Sequence, residues 1–426
     1  MPDSHTHSHS HGPDPDAPPP TEEVRGLRRR AVWLMLLLLV PVALATVVGL
    51  FVLWPGGQPS RAQQAADVQM PPGTTYPHGR VVSVQRVPCG NEAAGKPPQC
   101  ANVVVEVLDG AGKGDFQQLQ LSADVVGEGV ATGDVFVLSR DAGAQGGPGY
   151  GFFDFARGTP IVVLAIAFAV VVGLVARLRG LAALAGLGFA FFLLLRFVMP
   201  ALLAGESPLL VSLVGSSAIM FVVLYLAHGF SARTTTALIG TLSGLALVAV
   251  LGSIAVAAAQ LTGLTTDQTV QLQTYDPTLS FSGLVTAGVV VAGLGVLNDV
   301  TITQASAIWQ LKEVSPDITW RELHRRGMAV GRDHIASTVY TIVFAYAGAA
   351  LPLLLIFELY SRPFTVTLFS SSVAEEVVRI LVGAIALVLA VPLTTAIGAF
   401  FALAAGTEAG VATDRRMTAL RARFAR

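Results

Sequence analysis

Charge is what this chain has least of. Asp, Glu, Lys and Arg make up 13% of its 426 residues, about half the share usual in a soluble domain, which excludes an ordinary water-soluble globule. Cysteine is nearly absent: Cys89 and Cys100 are the only two, and both fall in one short polar loop. A pair that close suits a disulfide if the loop lies outside the cytoplasm, and two free thiols otherwise. Catalytic signatures are missing as well. There is no HExxH, no GxSxG and no paired-Asp motif, so an intramembrane hydrolase is not expected. No ATP-binding motif is present, so ATP-driven transport would need another subunit. The reading is of a chain that is not an enzyme and carries no cofactor.

What is present is apolar. Hydrophobic residues make up 53% of the chain and the mean hydropathy is +0.63. Several runs reach the ~18–25 residues that cross a bilayer. The expected fold is a polytopic α-helical membrane protein of about eight transmembrane helices, with a small extracytoplasmic β module between the first and second. Residues 1–30 read as a disordered His- and Pro-rich cytoplasmic tail with a basic stop, Arg25 and Arg28 to Arg30. In the tail, His5, His7, His9 and His11 alternate and could hold a divalent metal loosely; a plain solvated tail is the alternative. Residues 31–54 form the first span, an uncleaved signal anchor. Residues 55–157 are the β module, 158–405 a seven-helix membrane domain, and 406–426 a basic cytoplasmic tail.

Inside the module, Arg80–Val87, Asn102–Leu108, Phe116–Leu121 and Asp134–Ser139 read as strands separated by Gly turns. Four or five short strands suggest a small barrel or sandwich, OB-like. No basic or aromatic stripe supports nucleic-acid binding; the module would rest on the membrane domain or bind a partner. The other spans are expected near Thr159–Ala176, Leu181–Pro200, Leu209–Ala227, Thr236–Ala259, Phe281–Leu297 or beyond, Ala336–Leu359 and Glu376–Ala405. Arginines and Lys312 gather in alternate loops (177–179, 233, 312–332 and 415–426), while 201–208 and 260–280 carry no positive charge. By the positive-inside rule both termini are cytoplasmic.

The richest stretch is Gly283–Glu313. Gly288, Ala292, Gly295, Asp299, Thr303, Ser306 and Gln310 fall on one helical face, opposite a face of Val, Leu and Ile. A carboxylate at the edge of hydrocarbon points to a functional polar site. Asn298 and Asp299 could equally cap a new helix, or mark where the helix leaves the bilayer. Ser337, Thr341, Ala345, Gly348 and Pro352 form a second small, hydroxylated stripe. The two stripes are expected to pack against each other, with Asp333 and His334 nearby. The candidate polar membrane site is therefore Asn298, Asp299, Thr303, Ser306, Asp333, His334, Ser337 and Thr341. Glu375 and Glu376 read as an entry ion pair with Arg379. Trp320, Leu323 and Met328 beside Arg321, Arg325 and Arg326 read as an amphipathic interfacial helix.

These residues also resemble a family. Gly295-Val296-Leu297-Asn298-Asp299-Val300-Thr301-Ile302-Thr303 looks like the G-V-x-x-D-V-x-x-[ST] signature of the YibE/F-like bacterial membrane proteins. Gly331-Arg332-Asp333 leading to Tyr346–Pro352 is similar to a second signature, and Glu375-Glu376 with Pro392-Leu393-Thr394 to the last helix. The resemblance spans roughly 70–405 and departs at the His-rich tail and at Asn298, where an apolar residue would be expected. It implies a multi-pass protein of the bacterial cell (cytoplasmic) membrane and carries no established activity. Two functions fit: a transporter or permease for a small solute or ion, or a non-transporting envelope structural or assembly protein whose β module binds an envelope protein partner. Beyond the lipid bilayer, neither partner nor oligomeric state is legible.

Overall fold

The computed structural model describes residues 22–69, 73–89, 99–141, 149–359 and 363–404. They fall into two compact units, Pro59–Arg177 and the described residues on either side of it. The chain enters through α1 (Glu22–Val52), a 31-residue helix with Pro41 inside it.

The unit Pro59–Arg177 begins with α2 (Arg61–Gln69) and builds five strands: β1 (His78–Pro88), β2 (Gln99–Val107), β3 (Phe116–Leu121), β4 (Val135–Asp141) and β5 (Gly149–Phe155), with α3 (Ala123–Gly127) between β3 and β4. All pairings are antiparallel. The order is β3-β2-β1-β4-β5, and the edges β3 and β5 approach one another, so the sheet nearly closes. Residues two apart share a face of a strand; Val103, Val105 and Val107 therefore point inward together and meet Val81, Leu119, Leu121, Phe136 and Leu138. Gly79 allows this closeness, because a Cβ there would run into Val105 and Leu138. Cys89 and Cys100 form a disulfide across a Cα–Cα distance of 5.1 Å, joining the end of β1 to the start of β2. His78 donates its backbone N–H to Asp109 Oδ1 at 2.8 Å, and its Nδ1 lies 2.7 Å from Asp109 Oδ2.

The helices that follow are α4 (Gly158–Leu193), a five-residue π-helical segment (Leu194–Val198), α5 (Met199–Leu203), α6 (Pro208–His228), α7 (Ala232–Ala258), α8 (Asp267–Tyr275), α9 (Phe281–Val314), α10 (Trp320–Ala349), α11 (Leu351–Leu359), α12 (Phe364–Leu368) and α13 (Ser371–Ala404). Helical geometry breaks within α4 at Arg177 (φ 52°, ψ −136°). The π segment sits just before Pro200, whose ring nitrogen has no hydrogen to give the carbonyl of Arg196 four residues back.

Among the described residues, six helical stretches are long and apolar enough to cross a membrane: Ala31–Val52, Gly158–Leu203, Pro208–His228, Ala232–Ala258, Phe281–Val314 and Ser371–Ala404. Two differences from the expected eight have physical causes. The runs expected at 159–176 and 181–200 lie in one 46-residue stretch, which breaks helical geometry at Arg177. The run expected at 336–359 is divided between α10, whose first half is rich in arginine, and α11, which starts where Pro352 withholds an N–H from the preceding turn.

The centre of the helical unit is the mutual packing of α7, α9 and α13; α6 lies on α7 and α9, and α10 on α9 and α13. Glycines set these distances. Leu297 fits over Gly244, Val289 over Gly252, Val248 over Gly293 and Thr394 over Gly240. Small residues let membrane helices approach where lipid gives no hydrophobic drive to associate.

Candidate functional site

Helix α9 is one uninterrupted helix of 34 residues, capped at its start by Ser280, whose side chain accepts from the N–H of Gly283. The break or new cap considered at Asn298 and Asp299 is not formed. The hydroxyls beyond them bond back within the helix: Thr303 donates to the Asp299 carbonyl at 2.8 Å and Ser306 to that of Ile302 at 2.7 Å, the usual way Ser and Thr are satisfied inside a helix.

The stripe predicted on α9 is a real face, but its role differs from the expectation. Gly288, Ala292, Thr303 and Ser306 are half-buried; Gly295, Asp299 and Gln310 are exposed. The bundle packs on the other side, through Val289, Val290, Gly293, Leu297, Val300, Thr301, Gln304 and Ile308. The second stripe is uncovered too: Ser337, Thr341, Ala345, Gly348 and Pro352 are all exposed. A Cβ added at Gly295 or at Gly348 would meet nothing within 4 Å. The expected stripe-to-stripe contact is therefore overturned. Small residues permit close packing but do not compel it, and α10 is seated by other glycines.

Those are Gly327 and Gly331. The first receives Ile308 and Thr395, the second Val391 and the Gln304 carboxamide. Gln304 is 1% exposed. Its Nε2 donates to the carbonyl of Gly327 at 2.9 Å and to Thr395 Oγ1 at 2.7 Å, so one side chain ties α9 to α10 and α13. Thr301 shares a 2.6 Å hydrogen bond with Thr241, tying α9 to α7. The face opposite Asp299 is thus not purely Val, Leu and Ile. Thr301 and Gln304 were visible in the sequence as polar residues inside that apolar face, which is the signal of an interhelical hydrogen bond.

Because α9 and α10 run antiparallel about the Gln304 contact, five residues back along α9 and a similar step along α10 bring Asp299 and His334 to about the same depth. Asp333 is exposed and His334 half-buried. Among the described residues no ion pair joins Asp299, Asp333 or His334 to another side chain. Asn298 is half-buried, and its Oδ1 atom is buried without a hydrogen-bond partner.

Toward the Phe281 end, Arg379 pairs with Glu376 at 2.5 Å, its guanidinium 4.0 Å from where a Cβ on Gly288 would stand. Glu375 does not join that pair. It turns away, buried, and accepts from the N–H of Gly263 at 3.1 Å and from Thr265 Oγ1 at 3.0 Å. The expected interfacial helix is the beginning of α10 itself, capped by Thr319 accepting from the N–H of Glu322. Glu322 pairs there with Arg325 and Arg326, both at 2.6 Å, and Leu323 packs with Ile308, Ala399 and Ala402. No group of three or more metal-ligating side chains occurs among the described residues; His5, His7, His9 and His11 lie outside them. Residues 164–403 match the family described as YibE/F-like protein. No curated protein and no solved structure matches the chain.

Proposed function

The chain belongs to the YibE/F-like family, and from that premise we propose that it is a permease for a small solute or ion, with a polar path along the partly uncovered face of α9. One observation carries this reading. From Gly288 to Gln310 that face stays small or polar over 22 residues, about 33 Å at 1.5 Å per residue, close to the ~30 Å thickness of a hydrocarbon core. A membrane helix that faced only lipid would carry Leu, Ile and Val there. A carboxylate such as Asp299 costs roughly 2.5–3.5 kcal/mol at the centre of a bilayer on insertion scales, a cost relieved where water reaches it. The match covers the helices 164–403 and not the β module, which fits a function housed in the helices.

The proposed topology has eight spans, treating Arg177 as a turn between two and α10 with α11 as a further crossing. Both termini are cytoplasmic and the module lies outside, in a bacterial cell membrane. The arginines of the alternate loops support that orientation. The strand order, with β1 between β2 and β4 and α3 between β3 and β4, supports an OB-like module. The proposed activity involves no enzymatic chemistry. Proteoliposomes loaded in turn with rubidium, a proton-sensitive dye and labelled neutral solutes test the reading. Flux of at least one probe is expected, with a loss of tenfold or more in Asp299→Asn at unchanged folding. No flux of any probe, or flux indifferent to that substitution, refutes it. A role in envelope assembly is the second reading, favoured by the exposed Phe116 and Phe153 on the module. It predicts partner capture lost on deletion of residues 60–150 and no effect of Asp299→Asn.

A further inference from the structure

The stretch Tyr150-Gly151-Phe152-Phe153-Asp154-Phe155-Ala156-Arg157 joins the β module to α4. In a regular strand, Phe152 and Phe155 would point to opposite faces, because their separation is odd. Here both reach the core, each meeting Phe136 edge-on at 5.0 and 5.4 Å. The register shows how: Leu138 faces Phe152 and Val137 faces Asp154, so Phe153 has no partner on β4. This is a β-bulge, a device that re-aims a side chain. It returns Phe155 to the core and leaves the inserted residue, Phe153, outward and 59% exposed, with the ring of Tyr76, itself 44% exposed, 4.8 Å away.

Five residues separate Phe153 from Gly158, the first residue of α4, at most ~17 Å of extended chain. Along Gly158–Arg177, in the same compact unit, no residue is buried, and the helical stretch this opens has a mean hydropathy of 2.8 over its most apolar window. Lipid is the solvent such a surface needs. Between the aromatic pair and that helix lie Asp154 and Arg157, paired at 2.7 Å, with the guanidinium 5.4 Å over the ring of Phe155. Exposed aromatic rings within a few residues of the start of an apolar helix are where aromatic side chains gather at a bilayer, at the headgroup level.

We propose that the bulge at Phe153 exists to seat Phe153 and Tyr76 in the headgroup layer of the bilayer, so that the β module is held on the membrane surface by a lipid contact of its own. The test uses the full chain in nanodiscs of phosphatidylethanolamine and phosphatidylglycerol. With Cys89 and Cys100 in a disulfide, no free cysteine competes for label. Phe153→Cys, Tyr76→Cys and, as an exposed polar control on the turn after α3, Glu128→Cys are spin-labelled. Collision rates with oxygen and with a water-soluble nickel chelate are then compared. At Phe153 and Tyr76 the oxygen-to-nickel ratio is expected to exceed that at Glu128 by threefold or more. Nickel access equal to that at Glu128 overturns the proposal, as does shielding from both quenchers, which would mean a covering protein. Should Phe153→Cys fail to fold, Tyr76→Cys decides by the same criterion.

Discussion

Gln304 repays attention to a single residue, since its carboxamide holds three helices together and glycine makes the room for it. A methyl group at position 331 would collide with Val391 and press on the Gln304 carboxamide. Gly331→Ala is therefore expected to destabilise by about 1–3 kcal/mol, the usual cost of overpacking, read as a lowered thermal midpoint in detergent. Gln304→Leu removes its hydrogen bonds to the Gly327 carbonyl and to Thr395 from a buried contact, and a loss of roughly 1–3 kcal/mol is expected. In the β module, Asp109 sets a pH dependence. The backbone N–H and then the imidazole of His78 hold its carboxyl below the ordinary 3.8. A carboxyl lowered on folding stabilises fully above its unfolded value, and that contribution fades as the pH falls through the lower, folded value. The module should accordingly lose stability as the pH falls below the ordinary carboxyl value, and Asp109→Asn should flatten that part of the curve, followed by circular dichroism.

At the scale of elements, α9 shows what periodicity can and cannot decide. Spacing alone grouped Gly288, Ala292, Gly295, Asp299, Thr303, Ser306 and Gln310, and the helix keeps them together. It did not say which side faces the bundle, because small and hydroxylated residues serve equally for close packing and for a polar lining. The deciding residues were elsewhere: Leu297 over Gly244 and Val248 against Gly293 fix the opposite side as the packed one. Gly295→Ala is hence expected to be neutral or to stabilise by up to about 1 kcal/mol, while Gly244→Ala, whose Cβ would stand 2.8 Å from Leu297, should cost about 1–3 kcal/mol; thermal unfolding of the pair separates the two faces. Strand β5 was illegible for a related reason. Its glycines at 149 and 151 weaken strand propensity, and the bulge breaks the alternation by which strands are read. Helix α8 is short and polar, with a Thr266–Thr269 capping box in place of the Glu or Gln usual at the third position.

For the molecule as a whole, composition and loop charge made a membrane protein with an inserted β module legible, and the family match supports the helical part alone. Within the module, stability comes from an eleven-strong Val, Leu, Phe and Ala core and one disulfide. The cystine closes a loop of 11 residues, worth about 2–3 kcal/mol by loop entropy. Replacing both cysteines with serine should make the module markedly easier to cleave in limited proteolysis and leave the helices resistant. The helices carry a further mechanical consequence. At 1.5 Å per residue, α9 and α13 are about 51 Å long and α10 about 45 Å, while the Gln304 contact sits well off centre on α10, near Gly327 and Gly331. Beyond that contact about 27 Å of α10 remains, held on one side by Ile342, buried among Val300, Leu387 and Val391, while its other side, from Ser337 to Gly348, meets no neighbour among the described residues. It is a long beam fixed along one edge: the row Gly327, Gly331, Ile335 and Ile342 carries it, and the opposite edge bears on no described residue.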